Sequence, residues 1–498
     1  MFVDTRTGED LHLSSLQAIL HGKISSGLIA KFPLEKFSKL ELQQLRNLPF
    51  AQLAAKVVGK FFSDLEPVAV ERACARAFSV ENFDNEKIVK VVRVGENFFG
   101  EFWHGKTAAF KDVALSLLPE LFSLAIEQDP ATKQVLVLGA TSGDTGSAGE
   151  AGFANSENVF LSILFPQNGR VSEIQKKQIC DFQTSDGRIS AFSILKNFDF
   201  CQNELVKRIL DDNAFKMELL EKFSCRLSSL NSINIGRLAA QIVSFFAAEN
   251  EIGQRFDVAV PTGNFGHALS AFLAKGMGAR IGKIFIATNE NDALAQFCAT
   301  GRFVISPFRT TNSPSMDICL PSNFERLLFL LAGPERTRAL FKSLQDQGEF
   351  TVDGETLAKF REHFAAASVN ENETLVEIRE FHQRHGRLLD PHSAIASRVA
   401  RKLQGNNPVF ILETAHWGKF PTTILESGVF AGKDFPESEI ERLFAIEKVL
   451  QNENDQPLAT KFLRNLSHSE CKPARENFKP SAAQLKEILL QQLQKKRV

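Results

Sequence analysis

Val135-Leu-Val-Leu-Gly-Ala-Thr-Ser-Gly-Asp-Thr-Gly-Ser-Ala148 decides the fold class. Its first four residues are all apolar, the short unbroken run expected of a strand buried on both faces of a parallel sheet. The run passes directly into a turn of small residues, and the turn opens a helical pattern. The same order returns along the chain. Residues 159–165 read as a second strand ending at Pro166, and the loop at 168–178 leads into a helix. Residues 189–194 are a third strand, followed by a helix at 201–210. Residues 256–260 run into Pro261-Thr-Gly-Asn-Phe-Gly-His267 and another helix; 283–287 and 409–412 are later strands. Strand, turn and helix in alternation specify an α/β fold on largely parallel sheets.

The flanks read differently. Residues 1–98 are expected to be mostly helical, from apolar periodicity at 16–28 and 40–62. The tail from 431 is polar and helical. Its last helix is announced by a capping box of Ser481 and Gln484, with Leu485, Ile488, Leu489 and Leu493 on one face.

Composition narrows the class of function. The 498 residues carry 58 basic and 59 acidic side chains, a net charge of -1. That removes the electrostatic case for nucleic acid or an anionic membrane surface. The first residues, MFVDTRTGEDLHL, are not a basic region followed by an apolar run, and nothing approaches the roughly 18 apolar residues of a membrane span. Seven scattered cysteines without a CxxC pair argue against a disulfide framework or zinc site. A soluble, cytoplasmic protein with reduced thiols is expected. Tyrosine is absent beside 45 phenylalanines, so the chemistry proceeds without a phenolic acid or base.

The chemistry centres on His104-Gly-Lys-Thr-Ala-Ala-Phe-Lys-Asp112. Lys111 opens a segment with apolar residues at helical spacing (Val113, Ala114, Leu117, Leu118, Leu121, Phe122). There the helix dipole and desolvation both disfavour an ammonium and lower its pKa. Such a lysine can condense with an aldehyde; a plain surface lysine at a helix start is the alternative. Two glycine-rich turns, 139–146 and 263–266, suit anions because free amides and a helix dipole point into each. Neither carries a Gly-Lys-Ser/Thr ending or a GxGxxG, so a nucleotide is disfavoured, and a tight structural turn would look the same. A reactive lysine, a phosphate cradle and a second anion-receptive turn together fit a phosphorylated aldehyde cofactor holding an amino-acid substrate.

These segments, with Ala140–Ala148, 169–175, 231–241, 288–292, 313–317, 389–392 and 414–420, resemble in order those of threonine synthase. The likeness is to the long form within the fold type II (tryptophan synthase β-like) family of pyridoxal-phosphate enzymes, and it spans residues 100 to 425 or so. The resemblance implies two parallel-sheet α/β domains with the cofactor between them. It divides the chain into an N-terminal region 1–98, a large domain of 99–134 and 236–430, a small inserted domain 135–235, and a C-terminal helical extension 431–498. It implies pyridoxal 5'-phosphate bound covalently by Lys111, with Phe110 beside its ring, Asp144 near its phenolic oxygen, Thr414 facing the ring nitrogen, and Gly263, Asn264, Phe265 and Gly266 holding its phosphate. The implied reaction turns O-phospho-L-homoserine and water into L-threonine and phosphate.

On that reading Ser142, Gly143 and Thr145 receive the substrate carboxylate. Arg237 is the first choice for the substrate phosphate, because a guanidinium fork matches phosphate, with Ser232, Arg170 and Lys419 as further candidates. His104 and His416 lie inside matching motifs, either in catalysis or as structural hydrogen-bonding residues. Asp390 and His392 are expected to order a loop near the site. Lys106 stands where the family often has proline. The rival reading keeps the cofactor but yields 2-oxobutyrate from O-phosphohomoserine or O-phosphothreonine, a threonine-synthase-like phospholyase. A catalytically silent relative is a second rival. The partner is a small molecule, not nucleic acid or membrane, and the protein is a monomer or homodimer.

Overall fold

The computed structural model describes all residues except 23, 25, 142, 168–170, 197–199, 454–474, 479 and 496–498. Two sheets carry the molecule. The larger has the strand order Phe364–Ser368, Ile281–Thr288, Phe256–Pro261, Val409–Glu413, Asn97–Glu101, Lys90–Val94. Its neighbours are parallel except the last pair, an antiparallel hairpin. The smaller is parallel throughout, in the order Arg475–Phe478, Ile189–Ile194, Val159–Pro166, Gln134–Ala140, Cys225–Ser229. Val135 to Leu138 are fully buried there, as an unbroken apolar run requires. The α/β fold on two largely parallel sheets is the expected one.

Three local readings change. The first 98 residues do contain helices, Ser15–His21, Lys39–Gln44, Phe50–Phe61 and Pro67–Ala77, but Phe2–Asp4 pairs with Ile29–Lys31, and the hairpin from Lys90 begins the large sheet. A boundary at residue 98 therefore cuts the strand Asn97–Glu101. The reason is visible in Lys90-Val-Val-Arg-Val94, an alternating β-type run closed by Gly95 at φ 63°. The helix expected at 201–210 begins as a π-helix, Phe200–Lys207, before the short α-turn Arg208–Leu210. The tail is not separate from the sheets: Arg475–Phe478 pairs with Ile189–Ile194. Helix Ala482–Lys495 does carry the Ser481–Gln484 capping box, and it buries Leu485, Leu489 and Leu493 in the small half's core.

One packing contact sets the site. Helix Asp144–Phe153 lies so close to helix Lys111–Gln128 that a Cβ on Gly152 would stand 2.1 Å from the Leu115 carbonyl oxygen. Only glycine permits this approach. It brings the first residues of both helices, Lys111 and Asp144, together where the two sheets face each other.

Candidate active site

The cleft, of about 950 Å³, opens at the carboxyl ends of strands from both sheets, where α/β proteins bind ligands. Ala140 and Thr141 of the small sheet, Val260 and Pro261 of the large one, and Thr414 just past Val409–Glu413 all line it. Lys111, Phe110, Asp144, Thr145, Ser232, Arg237 and the whole 263–266 turn line it too. Residues some 150 positions apart in the chain thus meet as expected.

The loop before Lys111 is pinned by Asp112. Its carboxylate accepts from the Thr107 amide (3.0 Å) and hydroxyl (2.7 Å). Gly105 has no room for a side chain, since a Cβ would meet that of Asp112 at 2.3 Å. Phe110 donates its amide to the Thr414 carbonyl (2.8 Å), tying the helix start to the end of the large sheet.

Lys111 Nζ donates to Asp144 Oδ2 (3.1 Å) and Ser315 Oγ (3.3 Å), and sits 4.7 Å from the Phe110 ring centre. Burial pushes its ammonium below the ordinary lysine range; Asp144 works against this, while Lys419 and Arg237 add to it. Asp144 is the charge centre. Gln175 Nε2 donates to its Oδ1 (2.9 Å), as does Lys419 Nζ (2.8 Å), and Ser315 Oγ donates to its Oδ2 (3.1 Å). Burial would raise the Asp144 pKa, but Lys111 and Lys419 outweigh it and hold the carboxyl well below the usual range.

The glycine turns are built unlike each other. In the first, the Thr141 hydroxyl accepts from the amides of Gly143 (3.0 Å) and Gly146 (2.9 Å). In the second, no acceptor among the described residues meets the amides of Gly263, Asn264, Phe265 or Gly266. Phe265 is held at φ 63°, and a Cβ on Gly263 would stand 2.4 Å from the Ser315 carbonyl oxygen. Asn323 fixes this turn from below through Asn264, and Arg326 in turn holds Asn323. Ser232 is placed by its hydroxyl contact with Ser322 (3.3 Å).

Arg237 lies 3% exposed. Its Nη1 donates to the Leu230 carbonyl (3.2 Å), its Nε has no protein partner, and it forms no ion pair among the described residues. Burial lowers its pKa to about 10. A buried guanidinium without a counter-charge is costly, so this wall suits an anion.

Several expected residues fall elsewhere. Lys419, a candidate for the substrate phosphate, is fully buried and bound to Asp144 and the Thr107 carbonyl (2.8 Å) instead. Gly143 turns its amide to Thr141 and is not among the residues lining the cleft. His104 sits between Asp84 (2.7 Å) and Glu101 (3.0 Å), away from the lining. Burial opposes its charge, but those two carboxylates outweigh it and raise its pKa. His416 caps a short turn by accepting from the Gly418 amide (3.0 Å). Neither histidine lines the cleft, and Lys106 does not line it either. Ser142 and Arg170 lie outside the described residues. His392 does line the cleft: Asp390 holds its Nδ1 (2.7 Å), and its Nε2 accepts from the Ser315 amide (3.3 Å).

Four residues join the site that sequence reasoning did not single out: Ser315, Gln175, Thr141 and His267. The polar loop 309–317 signalled the first in outline. It is braced by Asn289, whose amide donates to Thr311, Ser313 and Asp317. Ser172 and Gln175 form a capping box, a legible pattern whose side-chain reach to Asp144 was not. Among the described residues there is no metal-binding cluster and no helix long and apolar enough to cross a membrane.

Two α/β halves closing on a lysine, its carboxylate partner and an open glycine turn define a lyase-type cleft of the fold type II class. No protein-family model matches the chain. It is 33% identical to threonine synthase of Pseudomonas aeruginosa over 465 residues, covering 91% of this chain and 96% of that one. It is 35% identical to human threonine synthase-like 1 over 435 residues, 82% of this chain but 57% of that relative's length. A crystal structure of PLP-bound threonine synthase from Brucella melitensis superposes with a TM-score of 0.84 at 32% identity, covering 100% of this chain and 99% of that one. The chain belongs to the threonine synthase family.

Proposed function

We propose that this protein is a threonine synthase that converts O-phospho-L-homoserine and water into L-threonine and phosphate with pyridoxal 5'-phosphate as cofactor. The observation that carries the reading is one cleft holding a buried lysine of lowered pKa, a turn of four amides and a buried arginine, the amides without an acceptor and the arginine without a counter-charge among the described residues. A phosphorylated aldehyde fits this set: an amine for the aldehyde and amides for its phosphate. When bound, the cofactor supplies an electron sink that lets protons leave and return at neighbouring substrate carbons.

The chain's own residues do the rest. Lys111 carries protons at the substrate's Cα and Cβ, and burial, by lowering its pKa, favours the neutral amine that a base needs. Asp144, kept ionised, orients the Lys111 amine, with Ser315 as second anchor. Gly263, Asn264, Phe265 and Gly266 hold the cofactor phosphate, Phe110 packs beside its ring, and Thr414 offers the ring nitrogen a hydroxyl rather than a carboxylate. Thr145, with the amide of Asp144, takes the substrate carboxylate, with Ser142 as a further candidate at the same turn. Arg237 takes the substrate phosphate, with Ser232, which lines the same cleft, and Arg170 as further candidates. Lys419 acts through Asp144. The protein works in the cytoplasm, as a monomer or homodimer.

Supplying the purified protein with pyridoxal 5'-phosphate and O-phosphohomoserine is expected to give threonine and phosphate in equal amounts. Lys111→Ala should lower the rate by about 10³-fold or more and remove the cofactor's lysine-dependent absorption band. Accumulation of 2-oxobutyrate in place of threonine would favour the phospholyase; no cofactor band at all would sink the reading.

A further inference from the structure

His267 follows the 263–266 turn directly and is the second residue of helix Gly266–Met277. It is 5% exposed, yet among the described residues neither Nδ1 nor Nε2 has a hydrogen-bond partner. Its ring lies parallel to Phe110 (centroids 4.9 Å apart, 11° between planes) and edge-on to Phe102 and Phe245. It also lines the cleft. A phenylalanine would fill this aromatic slot without bringing two buried polar atoms. An unmatched buried polar group costs about 1–3 kcal/mol, so the imidazole makes sense only if something in the cleft completes its bonding.

The surroundings say what that is. Gln241 Oε1, also unpartnered, would lie 3.6 Å from a Cβ placed on Gly266. Phe245, one helical turn beyond Gln241, touches the His267 ring. Gln241 and His267 therefore flank the open amides of the turn. Burial, with Lys111 adding to it, pushes the His267 pKa down to about 3. The ring is thus a neutral group with one N–H donor and one acceptor.

We propose that His267 is a positioning residue for the anion seated on the 263–266 turn, donating a neutral ring N–H to it. The inference rests on the cofactor reading above and deepens it. Neutrality has a use here. An imidazolium at this position would oppose the Lys111 ammonium across the Phe110 ring, whereas a neutral donor adds a bond to the anion and no charge near the lysine.

The test compares two probes on the full-length protein: pyridoxal 5'-phosphate and pyridoxal, which lacks the phosphate. Their dissociation constants are read by absorbance, for wild type, His267→Phe and His267→Asn. His267→Phe keeps the aromatic packing. It should weaken pyridoxal 5'-phosphate about tenfold and leave pyridoxal within twofold, with His267→Asn recovering part of the loss through its amide. In parallel, the His267 ring nitrogen signals in ¹⁵N NMR, assigned by their absence in the variants, should shift when pyridoxal 5'-phosphate is added and stay put with pyridoxal. Equal weakening of both probes in His267→Phe would mark a merely structural ring and overturn the proposal, as would unmoved ring signals. If the phosphate preference changes as expected but no threonine forms, the reaction assignment fails and this inference stands. If neither probe binds wild type, both fall.

Discussion

The turn at residues 139–146 and the turn at 263–266 each leave a buried parallel strand and open a helix, and in sequence they promise the same thing. In the first, a single hydroxyl inside the motif, that of Thr141, takes up the amides of Gly143 and Gly146. In the second, the amides from Gly263 to Gly266 meet no acceptor among the described residues. One turn is closed by its own threonine and used mainly to deliver Asp144 to Lys111. The other is kept open by neighbours: the Ser315 backbone behind Gly263 and the Asn323–Arg326 pair beneath Asn264. Anion binding by a glycine turn therefore depends on where its amides already point, not on glycine content.

The contrast can be broken by substitution. Gly263→Ala puts a methyl group against the Ser315 carbonyl, so the turn must move. Turnover should fall by about 10²-fold, the cost of an ångström-scale misplacement, measured as threonine formed per unit time. Thr141→Val removes the acceptor of two buried amides. It should lower stability by about 2 kcal/mol in denaturant unfolding, while the preference for pyridoxal 5'-phosphate over pyridoxal stays unchanged. If Thr141→Val lost that preference and Gly263→Ala kept it, the roles given to the two turns would be reversed.

Ser315→Ala, which removes the hydroxyl shared by Lys111 and Asp144, should cost about 1 kcal/mol, roughly a fivefold drop in turnover. The last prediction is one of sign. Lys419 lowers the pKa of both Lys111 and Asp144. In Lys419→Met the Lys111 ammonium should therefore hold its proton to higher pH, read as an upward move in the midpoint of its acylation rate against pH. The Asp144 pKa is depressed in the folded state, so its contribution to stability is present above the unfolded carboxylate pKa and lost as pH falls towards the folded value. With Lys419 gone, acid unfolding should begin at higher pH. A downward move in either measurement would contradict the pairing.

Much of the fold was legible because apolar runs such as Val135 to Leu138 can only be buried strands. The strand Phe364–Ser368 was not: Phe-Ala-Ala-Ala-Ser has no β-type composition and forms through pairing with Ile281–Thr288. The hairpin from Lys90 was readable in its alternation and its Gly95 turn, yet was masked by the helices around it. In the site, Lys111, Arg237 and the 263–266 turn announced themselves through residue chemistry, Asp144 and Thr414 through the family resemblance, and all line one cleft. Lys419 looked like a cation for a ligand. Its position instead neutralises Asp144, a role set by which charge burial brings within 2.8 Å.

The order of apolar runs, small-residue turns and caps determined by itself that this chain forms parallel sheets and that Lys111 stands at a helix start, because those patterns act over a few residues. Only the tertiary structure decided which turn stays open, which lysine is reactive and which is a counter-charge, and that His267 faces the cleft. Those outcomes depend on distances between segments remote in the chain, and local sequence does not encode them separately from the packing that creates them.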